Sequence, residues 1–300
     1  MTSRLLPAAL CLCAAASAGC VTSPYRQGDR EDYFVSRGLA KLEEPQIERG
    51  QRRPIIDTAG WIVGIPSKIL LWNSRVDNHN ISPETEAAIA AYLIDNDLST
   101  VKVRSNQYAP LDEWRRLTRN ESVGIGWRYT LGVLSVAGDA IFPGRLFGGS
   151  HYNPFTNSIH LYSDIPAEAL HEGGHAKDFA RRKYKGTYAA VYAFVPFTPL
   201  YYEAVATNDA LSYLHERGSY EDQREAYELL YPAYGTYAGS AASDLLPGPA
   251  IVPYLGGVLG GHVLGRIQSS NLPHPPTSPQ LPQDHLMEDP LLPPPPDSDW

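Results

Sequence analysis

Residues 171 to 175 read His-Glu-Gly-Gly-His, the densest run of metal-ligating and acid–base side chains in this 300-residue sequence. On a helix, positions four apart share a face, so His171 and His175 can hold one metal ion between their imidazoles. Glu172 can then reach a water bound to that ion and accept its proton. Two imidazoles do not complete a catalytic zinc centre. A third protein donor is needed, with one position left for water.

The pentapeptide fits H-E-x-x-H, and the chain resembles the zincin metallopeptidases, of the gluzincin-like kind. The resemblance runs over residues 157 to 210, roughly a fifth of the sequence. It implies an α+β fold: a small mixed sheet with an edge strand packed on the metal helix, then a mostly helical C-terminal half. It also implies Zn2+ as cofactor, held in this class by the two histidines and a glutamate on a following helix. Glu203 is the candidate on a helix expected over Leu200 to Glu216. Its helical neighbours Ala206, Thr207 and Ala210 form a small face that another helix could approach closely. An acid buried there without a partner would be costly, and a zinc ion would offset that cost. The segment Glu203 to Asp209 resembles the family's third-ligand stretch. The family often has an acid four residues after the glutamate; here Thr207 stands there and Asp209 comes later.

Other side chains could serve this chemistry. Asp178 lies three residues after His175 and could support a ligand. Tyr202 and His262 are candidates for stabilising charge in a transition state, and Asp209 for supporting a ligand. His151, His160 and His215 are further potential metal ligands.

These groups need elements to position them. Ser82-Pro83 supplies a cap and a first-turn proline for a helix to about Asn96. Its predicted face carries Ala88, Ala91, Tyr92 and Asp95. Val101 to Val103 reads as a strand and Leu111 to Thr118 as a helix. Trp127 to Leu134 and Ala140 to Phe142 read as strands. Asn157 to Ser163 alternates Ile159 and Leu161 with Ser158 and His160, as a half-exposed strand does. By the resemblance it is the edge strand that binds extended peptide by adding it to the sheet. The metal helix is predicted from Ala167 to about Tyr184. Gly173 and Gly174 inside it each cost about 1 kcal/mol relative to alanine, which close approach of another backbone or of a ligand would explain. The uncharged stretch Tyr188 to Tyr202 reads as core or as a lip of the site. Leu245 to Gly265 has no charged side chain, and Gly257, Gly261 and Gly265 recur every fourth residue. Its predicted helix, Tyr254 to Ile267, is ~21 Å long, short of a ~30 Å hydrocarbon core, so it is expected to pack inside the domain, against the glycines of the metal helix.

The ends are read by composition. Arg4 precedes an apolar run from Leu5 to Ala16, and Ser17-Ala18-Gly19-Cys20 resembles a bacterial lipoprotein cleavage site. Residues 1–19 are expected to be a signal peptide and Cys20 the lipid-bearing residue. Of three cysteines, Cys11 and Cys13 fall in the removed segment, which leaves no internal disulfide. Val21 after the cysteine fits passage to an outer membrane, with the domain facing the periplasm. Residues 20–53 read as a tether and arm, 54–268 as the metallopeptidase domain, and 269–300 as a disordered proline-rich tail that could meet a partner. A net charge of −8 with no basic stripe argues against nucleic acid.

The expected function is a lipid-anchored zinc metallopeptidase of the cell envelope, cleaving a peptide or envelope-protein substrate with a metal-activated water. The alternatives are an envelope scaffold or assembly lipoprotein that keeps the fold and a structural zinc, and a membrane-inserting, oligomerising lipoprotein.

Overall fold

The computed structural model describes residues 24–273. The signal segment, Cys20 and nearly all of the proline-rich tail lie outside the described residues. The chain forms a mixed α+β structure, mostly helical, around one four-stranded sheet. The strands are β1 (Ile47–Arg49), β2 (Lys102–Ser105), β3 (His151–Asn153) and β4 (Ser158–Leu161). Their order is β1-β2-β4-β3, with β1, β2 and β4 parallel and β3 antiparallel.

The longer helices are α1 (Pro54–Val63), α2 (Pro83–Asp95), α3 (Pro110–Arg119), α4 (Val133–Ile141), α5 (Pro166–Ala180), α6 (Lys185–Phe194), α7 (Thr198–Arg217), α8 (Tyr220–Leu245) and α9 (Ile251–Ser270). Ser82 caps α2 by accepting from the Thr85 amide, with Pro83 in the first turn. Ser219 and Asp222 form a reciprocal capping box at the start of α8. No helix among the described residues is long and apolar enough to cross a membrane.

One face of the sheet carries Val103, Ile159 and Leu161 into the main core, where they meet Ile89, Tyr92 and Leu93 of α2 and Leu170 of α5. The other face is charged yet buried. Lys102 reaches Glu48 at 2.5 Å, and Arg104 reaches Glu113 of α3 at 2.5 Å. Such pairs persist inside a protein because each charge has its counter-charge and hydrogen bonds.

Several expectations need correcting. The strand over residues 158–161 is neither half-exposed nor at the edge. It is buried between β2 and β3, and the antiparallel edge next to it is β3. Residues 125–141 are helical throughout, passing through a π turn at Arg128–Gly132 into α4. Their β-branched and aromatic residues suggested strands, but tertiary packing at helical spacing prevails, with Val136 in a small core beside Leu117 and Phe155. Residues 24–53 are more than a tether: Tyr33 and Leu39 are buried and β1 pairs with β2. The buried face of α2 is Thr85, Ile89, Tyr92 and Leu93, so of the expected Ala88, Ala91, Tyr92 and Asp95 only Tyr92 belongs to it.

The glycine-rich helix is α9, and its partner is α8 rather than the metal helix. A Cβ on Gly257 would sit 2.3 Å from the Gly235 carbonyl oxygen, one on Gly261 2.4 Å from that of Tyr231, and one on Gly265 2.4 Å from that of Tyr227. The two backbones touch along their length, which any side chain at these positions would prevent.

Candidate metal centre

Helix α5 opens on Pro166, already set to a helical φ, and ends where the Lys185 ammonium donates to the carbonyls of Phe179 and Ala180. The metal helix therefore stops at Ala180 rather than near Tyr184. Its two inner glycines have separate roles. A Cβ on Gly173 would come within 2.7 Å of the Tyr92 ring, and one on Gly174 within 2.9 Å of the Ala206 carbonyl oxygen and 3.0 Å of its Cα. Gly174 thus lets α7 lie against α5, and Ala206 and Ala210 complete the contact, both fully buried.

That approach gathers His171, His175 and Glu203. The Nε2 atoms of the two histidines are 3.1 Å apart. Glu203 Oε2 lies 3.1 Å from His171 Nε2 and 3.4 Å from His175 Nε2. A point equidistant from all three atoms is about 1.9 Å from each, close to the ~2.0–2.1 Å of zinc–nitrogen bonds. Two imidazole nitrogens and one carboxylate oxygen facing one point are a donor set that suits zinc.

The outer atoms of these donors are also held. The Thr207 hydroxyl lies 3.3 Å from His171 Nδ1, so an N–H there leaves the lone pair on Nε2, towards the shared point. The Tyr192 hydroxyl donates to Glu203 Oε1 at 3.3 Å, leaving Oε2 for the imidazoles. Burial opposes ionisation of Glu203, but His175 and His171 outweigh it and hold the carboxyl far below its usual range. The His175 imidazole, although burial works against its charge, is raised to about 9, chiefly by Glu203. Glu172 is buried, and that burial pushes its carboxyl upward against the pull of the two histidines.

A cleft of about 360 Å³ opens beside the donors. Glu172, His175, Glu203, Tyr192, Tyr237 and His151 line it. Tyr188 of α6 and Tyr202 of α7 form part of its wall, so the uncharged stretch Tyr188 to Tyr202 does make a lip.

The remaining candidates are placed elsewhere or engaged otherwise. Asp178 reaches the cleft but pairs with Arg182 and accepts from the Tyr188 hydroxyl. Asp209 takes the Lys177 ammonium at 2.6 Å and the Tyr92 hydroxyl, not a histidine. Tyr202 donates its hydroxyl to the Tyr188 carbonyl at 3.0 Å and contributes its ring to the wall. His262 is away from the centre: it bonds the Leu70 carbonyl at 2.9 Å and stacks on Trp72 at 3.9 Å, in a different pocket. Thr207, Tyr192 and Tyr237 went unassigned in the sequence. Only Thr207 carried a signal, standing one helical turn after Glu203.

Compared with known proteins, the chain matches no family model, no curated protein and no solved structure.

Proposed function

We propose that the protein is a zinc-dependent metallopeptidase with a gluzincin-like centre, anchored by lipid at Cys20 in the bacterial cell envelope. The observation that carries this reading is the convergence of His171, His175 and Glu203 on one point from α5 and α7. The order of elements supports it: an antiparallel edge strand, its neighbour, then the histidine helix. In zincins this arrangement offers the edge strand to an extended peptide, so β3 takes that part here.

His171, His175 and Glu203 would hold the zinc, which supplies Lewis acidity and an acidified water. Glu172, on the cleft wall, accepts the proton of the attacking water and delivers it to the departing amine. Tyr192 keeps the Glu203 carboxylate oriented. The tyrosine lip around Tyr188 and Tyr202 limits water and gives substrate side chains an apolar surface.

A scaffold role is the second reading. It is favoured by the exposed apolar stripe Val252, Leu255, Leu259 and Val263 on α9, a face suited to a partner.

Metal analysis and peptide hydrolysis separate the two. Glu203→Ala is expected to lose one equivalent of zinc relative to the unmodified protein. Glu172→Gln should retain zinc and lose hydrolysis of a fluorogenic peptide mixture by roughly 10²–10⁴-fold. A fully active Glu172→Gln protein would remove Glu172 from this role. Undiminished zinc in Glu203→Ala would remove the centre itself.

A further inference from the structure

A second set of metal-ligating side chains lies on the charged face of the sheet. His151 of β3 and His160 of β4 are register partners, so they project from the same face. Their rings stack at 4.7 Å with 10° between planes. Asp139 comes from α4, with Oδ1 3.7 Å from His151 Nε2. One donor atom from each of Asp139, His151 and His160 lies within 4.8 Å of the other two.

His151 and Asp139 are each held by a contact on the far side. His151 Nδ1 sits 3.0 Å from the Gly149 carbonyl oxygen, which accepts only from an N–H. The neutral ring then carries its lone pair on Nε2, the usual arrangement behind a metal-bound histidine. Asp139 Oδ2 accepts from the Asn153 side chain at 2.9 Å, leaving Oδ1 facing the histidines. His160 is 5% exposed, and neither its Nε2 nor that of His151 has a hydrogen-bond partner. Glu113 adds a carboxylate: Arg104 and Ser158 hold its Oε1, while Oε2 has no hydrogen bond and lies 3.6 Å from His160 Nε2. Buried polar atoms are rarely left without partners, because each costs roughly 1–3 kcal/mol. Here three of them collect around the same two rings.

We propose that Asp139, His151 and His160 form a second site for a divalent cation, with Glu113 as the nearest further carboxylate. Two imidazole nitrogens with carboxylate oxygen suit Zn2+. Such an ion ties β3, β4 and α4 together and fixes the edge strand on which His151 faces the cleft. This site stands whether or not the centre at His171 is a peptidase.

The test is a Zn2+ titration of the full-length protein, read as bound equivalents by native mass spectrometry. The unmodified protein should bind two, and His151→Asn and Asp139→Asn should each bind one, with affinity for the other equivalent weakened at least ~10-fold. Glu203→Ala should also bind one, and the double variant Glu203→Ala, His151→Asn none. If His151→Asn does not fold, Asp139→Asn carries the test, together with melting of Glu203→Ala. Zinc should raise the Tm of that protein by several degrees, and not that of Glu203→Ala, Asp139→Asn. Equal zinc content in Asp139→Asn and the unmodified protein would overturn the second site. Two equivalents retained by Glu203→Ala would overturn the first centre alone.

Discussion

The pair α8 and α9 and the pair α5 and α7 both approach closely through glycine, and they do so to opposite ends. In α8 and α9 the glycines meet backbone on both sides, as where Gly257 faces Gly235 and Gly261 faces the Tyr231 carbonyl. The atoms that meet at Gly235, Gly257 and Gly261 are backbone, and the close fit there contributes dispersion and shape. In α5 and α7 a single close approach, Gly174 against Ala206, brings two imidazoles and a carboxylate within 3.4 Å of one another. The first pair spends its glycines on cohesion. The second uses one to bring two imidazoles and a carboxylate onto one point. Glycine in a helix therefore shows that something comes near; the polar atoms around it show what the approach is for.

The largest effect expected on this contrast is at Gly261. Alanine there places a methyl against the Tyr231 carbonyl and the Pro232 Cα, backbone that cannot move aside. A loss of about 3 kcal/mol and a fall in Tm of ~5–10 °C are expected, with zinc content unchanged. Depleted zinc in a folded Gly261→Ala protein would break the separation between the two pairs.

Glu168 tests the polar side. Burial, helped by Asp77 and Glu172, pushes its carboxyl from 4.5 to about 7, against hydrogen bonds from Ser150 and Ser163. The folded protein thus binds this proton more tightly than the unfolded chain. Its contribution is full below pH 4.5 and is lost as pH rises through about 7. Glu168→Gln should flatten this decline, a difference of ~3 kcal/mol across the window, measured by urea unfolding at several pH values. An unchanged slope would show that α5 carries no such electrostatic load.

At Gly174 the expected effect moves from stability to metal. An alanine Cβ would press on Ala206 at 2.9–3.0 Å, so α5 and α7 must part by a few tenths of an ångström. Zinc affinity should fall by ~10-fold in a competition assay with a chelator, while Tm changes little. The smallest effect has the opposite sign. A Cβ on Gly260 meets nothing within 4 Å, so Gly260→Ala should stabilise the protein by about 1 kcal/mol. Destabilisation there would mean that α9 is covered on its outer face as well.

How much of this could be read from the sequence follows from how local each signal is. His171 and His175 were legible because four residues of helix fix their relation. Glu203 was legible because a small face with one acid is unusual. A cap and a first-turn proline marked α2, and Ile159 and Leu161 marked β4 as a strand. Its place in the sheet was not marked, since the edge belongs to β3, a strand of only three residues. Residues 125–141 misled because aromatic and β-branched side chains suit both strands and packed helices. The partner of the α9 glycines could not be chosen from spacing, which is the same whichever helix lies opposite. Tyr192, Tyr237 and His151 reach the cleft from separate elements, and no local pattern joins them to His171.

Thr207 sets the electrical character of the centre. A carboxylate behind His171 would lend it negative charge through the ring and make it a stronger donor. A hydroxyl at 3.3 Å lends none. Among the three donors only Glu203 is anionic, so a dication held there retains a surplus positive charge. In a zinc centre of the proposed kind, that surplus would favour electron-rich oxygen at an open position and would loosen the grip on the metal relative to an acid-backed centre.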